Sequence, residues 1–121
     1  MTTSLISVAL GGALGASLRF LLGVALVRDG FPVAVLAANV LGCFVMGLVV
    51  VTLGRSGLDH WQPLLMTGLL GGFTTFSAFS LETLTLMERG DLAQAAIYVV
   101  LSVGGSLLAV VVGVSIARGV L

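Results

Sequence analysis

Phenyl rings and hydroxyl groups lie close together in one apolar part of this sequence, residues 71–79 (GGFTTFSAF). Phe76 and Phe79 are three residues apart, so they would share one face of a helix. The positive edges of their rings can face an anion, and neighbouring hydroxyls can donate hydrogen bonds to it. A phenylalanine pair more often serves simple packing, but its combination with a glycine pair and three hydroxyls favours anion binding.

The same segment is expected to interrupt a helix. Gly71 and Gly72 are adjacent, and Thr74 and Thr75 are β-branched, so poor helix formers are concentrated here. Inside a membrane, unwound backbone is tolerated where protein or water satisfies its N–H and C=O groups, and such breaks recur in ion sites. The sequence therefore predicts a third helix that is broken mid-membrane.

Further polar side chains occur inside other apolar stretches. Asn39 offers amide donors, either for an interhelical hydrogen bond or for a ligand in a pathway. Tyr98, Ser102 and Ser106 recur every four residues and would form one polar stripe on a helix, although a lone serine usually bonds back to its own helix. Glu82 either extends this polar track or marks the membrane boundary.

Arg19 lies fifteen residues into the first apolar stretch, about 22 Å along a helix at about 1.5 Å per residue. This position is near the far interface rather than the midplane of a membrane. The guanidinium could extend toward lipid headgroups. Alternatively, it could form a cationic vestibule that attracts an anion, and the position alone does not separate the two.

The elements that carry these residues must be membrane-spanning. Of the 121 residues, 59% are hydrophobic and only 8% are charged, with five arginines, five acids and no lysine. Soluble domains carry about 25% charged residues. The composition excludes disorder, and the lack of a basic patch argues against a nucleic-acid partner.

Charges divide the chain into four stretches long enough to cross a bilayer, which needs about 20 apolar residues. We therefore predict an all-α integral membrane protein with a single domain over residues 1–121. The first stretch is too long for a signal-peptide core and is expected to be a retained span. The predicted spans are residues 4–27, 31–53, 61–87 and 92–117.

The charges give almost no orientation signal. Four spans place Arg55 and Arg118 on one side and Arg28 and Arg89 on the other, with Arg19 nearer to the second side. Orientation normally follows an excess of positive charge in cytoplasmic loops. Either a weak bias suffices, or the chain inserts in both orientations and pairs antiparallel.

Small residues at four-residue spacing predict close helix packing, because they let backbones approach in lipid. Whether these faces pack within one chain or between chains is not determined by spacing. The residues concerned are Gly11, Gly15, Ala38, Gly42, Gly68, Gly72, Gly105, Ala109 and Gly113.

No catalytic constellation is present, since His60 is in a loop and no carboxylate lies mid-membrane. The single Cys43 is not part of a Cys/His cluster, so soft-ligand metal binding is unsupported. Neutral donors with no fixed central charge instead suit conduction of a small anion. A small multidrug-resistance-type exporter is the alternative, but that family relies on a glutamate in the first span, where none occurs.

Three motifs together resemble the Fluc/CrcB fluoride-channel family: residues 11–20 (GGALGASLRF), 39–42 (NVLG) and 71–79 (GGFTTFSAF). The resemblance covers the whole chain. It implies a fluoride-selective channel of the bacterial inner membrane that exports fluoride passively and lowers its cytoplasmic toxicity. It also implies a dual-topology homodimer with antiparallel subunits.

The resemblance assigns roles to individual residues. Phe76 and Phe79 would supply the pore phenylalanines and Asn39 would donate to fluoride. A structural sodium ion at the dimer interface would be held by the backbone carbonyls of Gly71 and Thr74. Arg19 would match a characteristic arginine of the first span, and Ala78 departs from a frequent threonine. The polar track would comprise Ser77, Glu82, Tyr98, Ser102 and Ser106.

Overall fold

A computed structural model describes residues 1–26 and 30–120. The described chain is helical, with four spans long and apolar enough to cross a membrane. The expectation of an all-α protein with four spans is therefore confirmed. The spans are α1 (Thr2–Ala25), α2 (Val33–Ser56), the third span (Asp59–Glu88) and α5 (Leu92–Val120).

The third span is composite. Its first part is a 3-10 turn (Asp59–Trp61), a π-helix (Pro63–Leu70) and a short α3 (Gly71–Phe73). Thr74 and Thr75 then adopt extended conformations, before α4 (Phe76–Glu88) resumes the span. The predicted interruption of the third helix is confirmed, whereas the π-helix before it was not expected.

Glycines hold α1 against the first half of the third span. A Cβ at Gly11 or Gly15 would collide with backbone atoms of residues 64–73, and one at Gly72 would lie 2.7 Å from the Gly12 carbonyl oxygen. Close approach of this kind needs small residues on both helices. These glycine motifs therefore pack within one chain, which spacing alone did not decide.

The α2 helix packs against α5 through a second glycine pair. A Cβ at Gly47 would meet the backbone around Val110 and Gly113, and a Cβ at Gly113 would meet the Phe44 carbonyl. Gly113 belongs to the small-residue stripe predicted for the fourth span. Gly47 was not part of any predicted motif.

The second half of the third span packs against α5 through a small buried cluster of Phe79, Leu86, Ala95 and Tyr98. Many other large apolar side chains on the helices are exposed. An exposed apolar exterior is what a lipid bilayer or a partner subunit would cover.

Arginines lie at both ends of the bundle. Arg55 Nη1 donates to the Arg118 carbonyl oxygen over 3.1 Å, so both are at one end. Arg89 Nη2 donates to the Gly30 carbonyl oxygen over 3.0 Å at the other end. Arg28, which was counted on the side of Arg89, and Val27, the predicted end of the first span, lie outside the described residues.

Candidate functional site

The break in the third span is held by Asn39 of α2. Asn39 Nδ2 donates to the Thr75 carbonyl oxygen over 3.0 Å, and the Thr75 N–H donates to Asn39 Oδ1 over 2.7 Å. The backbone N–H can only donate, so the oxygen of the amide must face it. One of the two Asn39 N–H groups is thereby used, which leaves the second for another acceptor.

Thr75 also begins the next helix. Its Oγ1 accepts a hydrogen bond from the Ala78 N–H over 3.1 Å, as a side-chain cap at a helix N-terminus does. This threonine was named only as a poor helix former, yet its backbone and its side chain both shape the break. A threonine immediately before an apolar helical segment is a common N-cap, and this was the signal that could have identified it.

Helix interruption frees backbone carbonyls that need partners. The Leu70 carbonyl oxygen accepts both the N–H and the Oγ1–H of Thr74, each over 3.0 Å. The Gly72 carbonyl oxygen accepts a hydrogen bond from Arg19 Nε over 3.3 Å. The donors that would continue the helix from the Gly71 carbonyl, the N–H groups of Thr74 and Thr75, are used elsewhere.

A cavity of about 300 Å³ lies beside the break, and we call it the break cavity. Among the described residues that line it there is no carboxylate, amine or guanidinium group, and the polar side chains carry hydroxyl, amide and thiol groups. Five predicted pore residues meet here, from α2, α4 and α5. The lining is formed by Asn39, Cys43, Thr74, Thr75, Phe76, Phe79, Ser102, Val103, Ser106 and Leu107.

The two phenylalanines lie side by side, with ring centroids 5.2 Å apart and an interplanar angle of 54°. They differ in environment, because Phe79 is 8% exposed and Phe76 is 75% exposed. The ring centroids of Phe79 and Tyr98 are 5.3 Å apart. Tyr98 in turn packs edge-to-face against Phe31, with ring centroids 5.5 Å apart. An aromatic series thus extends from the break cavity toward the start of α2.

The predicted stripe on the fourth span faces the same region. Tyr98 and Ser102 are buried and Ser106 is half-buried. The Ser102 Oγ is buried without a hydrogen-bond partner among the described residues, unlike a serine bonded back to its own helix. A buried hydroxyl without a partner is costly, so this oxygen is available to a polar ligand in the break cavity.

A second cavity, of about 460 Å³, contains Arg19, Phe31, Ala78 and Glu82 in its wall, and we call it the arginine cavity. Tyr98 Oη donates to Glu82 Oε2 over 3.0 Å. Tyr98 therefore contacts Phe79 of the break cavity and Glu82 of the arginine cavity. Arg19 is half-buried in this wall and bonded to the Gly72 carbonyl at the break, a contact that neither of the two interpretations of its position included.

Three predicted residues line neither cavity: Tyr98, which is buried between them, Ser77 and Gly71. Ser77 is exposed and its Oγ lies 3.1 Å from Thr75 Oγ1, while Gly71 is exposed at the break. Sequence reasoning missed Cys43 and Phe31 as cavity-lining residues. Cys43 follows Asn39 by four residues, so helical spacing could have placed it on the same face.

The sequence of this chain matches a known protein family. The model of the family described as CrcB-like protein, Camphor Resistance (CrcB), matches residues 6–114. The chain belongs to the CrcB family. The resemblance inferred from its three motifs is therefore confirmed.

Several CrcB relatives resemble the chain over nearly its full length, and three of them bear the name "Fluoride-specific ion channel FluC". The protein of Roseobacter denitrificans is 58% identical and the match covers 97% of each chain. That of Ruegeria sp. is 54% identical over 100% of this chain and 99% of its own length. That of Cereibacter sphaeroides is 53% identical over 98% of both chains.

Proposed function

We propose that this chain is a fluoride-specific ion channel, a multi-pass protein of the bacterial inner membrane that lets fluoride leave the cytoplasm passively. The observation that carries the proposal is the break cavity, in which Asn39, Phe76, Phe79, Ser102 and Ser106 meet. The names of the full-length relatives support the choice of fluoride. Conduction, rather than an enzymatic reaction, is the function that these neutral groups suit.

Fluoride is small and strongly hydrated, so a selective path must offer compact donors in place of water. The unpartnered Ser102 hydroxyl and the second N–H of Asn39 are such donors. The edges of the Phe76 and Phe79 rings add positive potential without a fixed charge. An ion held only by neutral groups can leave again, which conduction requires.

The arginine cavity would form the entrance to this path. Arg19 in its wall attracts anions, while its bond to the Gly72 carbonyl keeps the guanidinium at the break. Tyr98 lies between the two cavities and its hydroxyl is held by Glu82. We assign Tyr98 and Glu82 to the polar track that connects the arginine cavity with the break cavity.

A homodimer of antiparallel subunits accounts for what a single chain leaves exposed. Phe76, Ser77 and Gly71 are exposed at mid-span, next to a backbone break. Hydrocarbon cannot satisfy freed backbone groups, so the break must be covered by protein or water. A second copy in the opposite orientation would cover it, and the even division of arginines supports both orientations.

We further propose a structural sodium ion at the dimer interface, held by the backbone carbonyls of Gly71 and Thr74. The donor set fits, because the N–H groups that would bond these carbonyls in a continuous helix, those of Thr75 and Ala78, bond to Asn39 and to the Thr75 hydroxyl instead. Carbonyl oxygens are suitable ligands for a hard cation. Bound sodium would neutralise their partial charge and add positive potential to the path.

Reconstitution of the purified protein in liposomes tests the proposed function. Fluoride efflux down its gradient, measured with a fluoride electrode, is expected, with no comparable chloride efflux from matched vesicles. Equal fluxes of the two halides would contradict selectivity. Export of organic cations driven by a proton gradient, without fluoride flux, would favour the multidrug exporter instead.

The same vesicles test the sodium proposal. Replacing sodium with a bulky organic cation during purification and reconstitution is expected to lower dimer stability and fluoride flux together. Returning sodium should restore both. Flux and dimer content that are the same without any sodium would contradict this part of the proposal.

A further inference from the structure

We propose that Cys43 is a thiol on the ion path, and that covalent modification of it by a small thiol-directed reagent closes the channel. This inference rests on the proposed fluoride conduction. It assigns a modification site to a residue that the polar track does not include. The class of ligand is a small electrophilic sulfur compound that forms a mixed disulfide.

The position of Cys43 follows from the helix that carries Asn39. The two residues are one turn apart on α2, so their side chains share a face. Both line the break cavity, together with Ser106 of α5 and the two phenylalanines of α4. A group attached to the Cys43 sulfur would therefore extend into the space through which fluoride is proposed to pass.

A second observation suits the binding of water or an ion in this cavity. Ser102 is 5% exposed, lines the same cavity, and its Oγ has no hydrogen-bond partner among the described residues. Leaving a buried hydroxyl unsatisfied is costly, and water or an ion in the cavity would relieve that cost. The volume of about 300 Å³ leaves room for a reagent of a few heavy atoms beside the thiol.

The size of the space makes the effect of an adduct predictable. The break cavity has a volume of about 300 Å³ and already contains two phenyl rings in its wall. An added methylthio group would occupy room between Cys43 and the polar stripe. It offers no donor to replace the water lost by the anion, so it would obstruct passage rather than assist it.

Methyl methanethiosulfonate is a suitable reagent, because it converts a thiol to a mixed disulfide. The Cys43 thiol loses its proton to water, and the thiolate attacks the methylthio sulfur of the reagent. A new S–S bond forms, the S–SO2 bond breaks, and methanesulfinate leaves with the electron pair. Dithiothreitol reverses the modification by thiol–disulfide exchange.

The natural chain is well suited to this experiment because Cys43 is its one cysteine. Fluoride efflux from liposomes is measured before reagent, after reagent and after dithiothreitol, and intact mass reports the adduct. We expect a single adduct, a fall in flux of at least about tenfold as the path is obstructed, and recovery after reduction.

Two variants test whether the loss of flux requires modification at Cys43 itself. Cys43→Ser is expected to keep its own untreated flux in the presence of reagent. Cys43→Ser combined with Ile97→Cys moves the thiol to an exposed position on α5 outside both cavities, where labelling should leave flux unchanged. If Cys43→Ser does not conduct, reversal by dithiothreitol in the natural chain decides the question.

The outcomes separate the two proposals. No fluoride flux before reagent would contradict the proposed function itself. Normal flux that persists with a complete adduct would show that Cys43 lies off the path. Failure of the reagent to label the natural chain would contradict access from the cavity. Only labelling with reversible loss of flux supports the inference.

Discussion

The side-chain amide of Asn39 and the backbone of Thr75 bond to each other at two points, over 3.0 Å and 2.7 Å. The two residues are on different spans, and together they fix the shape of the helix break. Because Asn39 still has a second N–H, one side chain can hold the break and also donate to an ion in the break cavity. If Asn39 donates to fluoride as proposed, structure and conduction are coupled at a single residue.

Replacing Asn39 should therefore impair both properties. Asn39→Ala leaves the N–H and C=O of Thr75 without these partners, which is expected to cost about 1–2 kcal/mol for two interhelical hydrogen bonds in a membrane. If the loss of this donor raises the barrier to ion passage by about 1.4 kcal/mol, flux would fall roughly tenfold. Thermal unfolding in detergent and fluoride efflux from liposomes measure the two effects.

Thr52→Ala is the matched control, since it removes a polar side chain from the same helix. The Thr52 hydroxyl is exposed and bonds only to the Leu48 carbonyl of its own helix, over 2.8 Å. Its loss should change neither flux nor unfolding temperature appreciably. Asn39→Ala with the same flux and stability as the natural chain would refute the coupling.

The phenylalanine pair allows the role of the rings to be separated from packing. Phe76 is 75% exposed, so Phe76→Ile removes a ring edge from the path with little loss of packing inside the subunit. Phe79 is buried against Tyr98, so Phe79→Ile is expected to cost about 1 kcal/mol of stability as well. Both variants should lower fluoride efflux while the dimer persists in size-exclusion chromatography.

Leu81→Ile is a suitable control for the phenylalanine variants, because Leu81 is an exposed apolar residue on the same α4 helix. It should conduct like the natural chain. If Phe76→Ile and Phe79→Ile also conduct normally, the rings serve packing alone and the anion is stabilised by other groups.

Much of the fold could be predicted because its causes are local. Long apolar stretches fix the spans, since a bilayer requires a minimum length of apolar helix. The break follows from Gly71, Gly72 and the threonines after them, which disfavour a continuous helix. The stripe of Tyr98, Ser102 and Ser106 follows from four-residue spacing alone.

The remaining features depend on how distant segments meet. The partner of Asn39 could not be predicted, because Thr75 is 36 residues away and is reached only when α2 lies beside the break. The bond from Arg19 to Gly72 crosses 53 residues in the same way. Gly47 had no motif partner in the sequence and became significant only through its contact with Gly113.

The glycine contacts give a stability prediction with an internal control on α5. A Cβ at Gly113 would meet the Phe44 carbonyl and come within 3.2 Å of the Gly47 Cα. Gly113→Ala should therefore destabilise the protein by about 1–3 kcal/mol through overpacking. Gly104→Ala has nothing within 4 Å of the new Cβ and should be neutral or slightly stabilising, by up to about 1 kcal/mol.

Thermal unfolding of the two variants in one detergent measures the difference. A lower unfolding temperature for Gly113→Ala alone would support the α2–α5 contact as described. Equal unfolding temperatures would contradict the close approach of Gly47 and Gly113.

Antiparallel pairing predicts that the natural chain inserts in both orientations, so reporters fused to the C-terminus should be active on both sides of the membrane. Arg89→Gln removes positive charge from one end and should bias insertion, because short loops rich in arginine stay cytoplasmic. It breaks the partly exposed Arg89–Asp91 pair and the exposed hydrogen bond to the Gly30 carbonyl, so the loss of stability is small.

A biased chain should form few antiparallel dimers and therefore conduct poorly. Arg55→Gln combined with Arg118→Gln removes charge from the other end and should bias insertion the opposite way. Each biased chain expressed alone is expected to give low fluoride efflux from cells, and co-expression should restore it because the two orientations then coexist. A single orientation of the natural chain, or full flux from one biased chain alone, would refute antiparallel pairing.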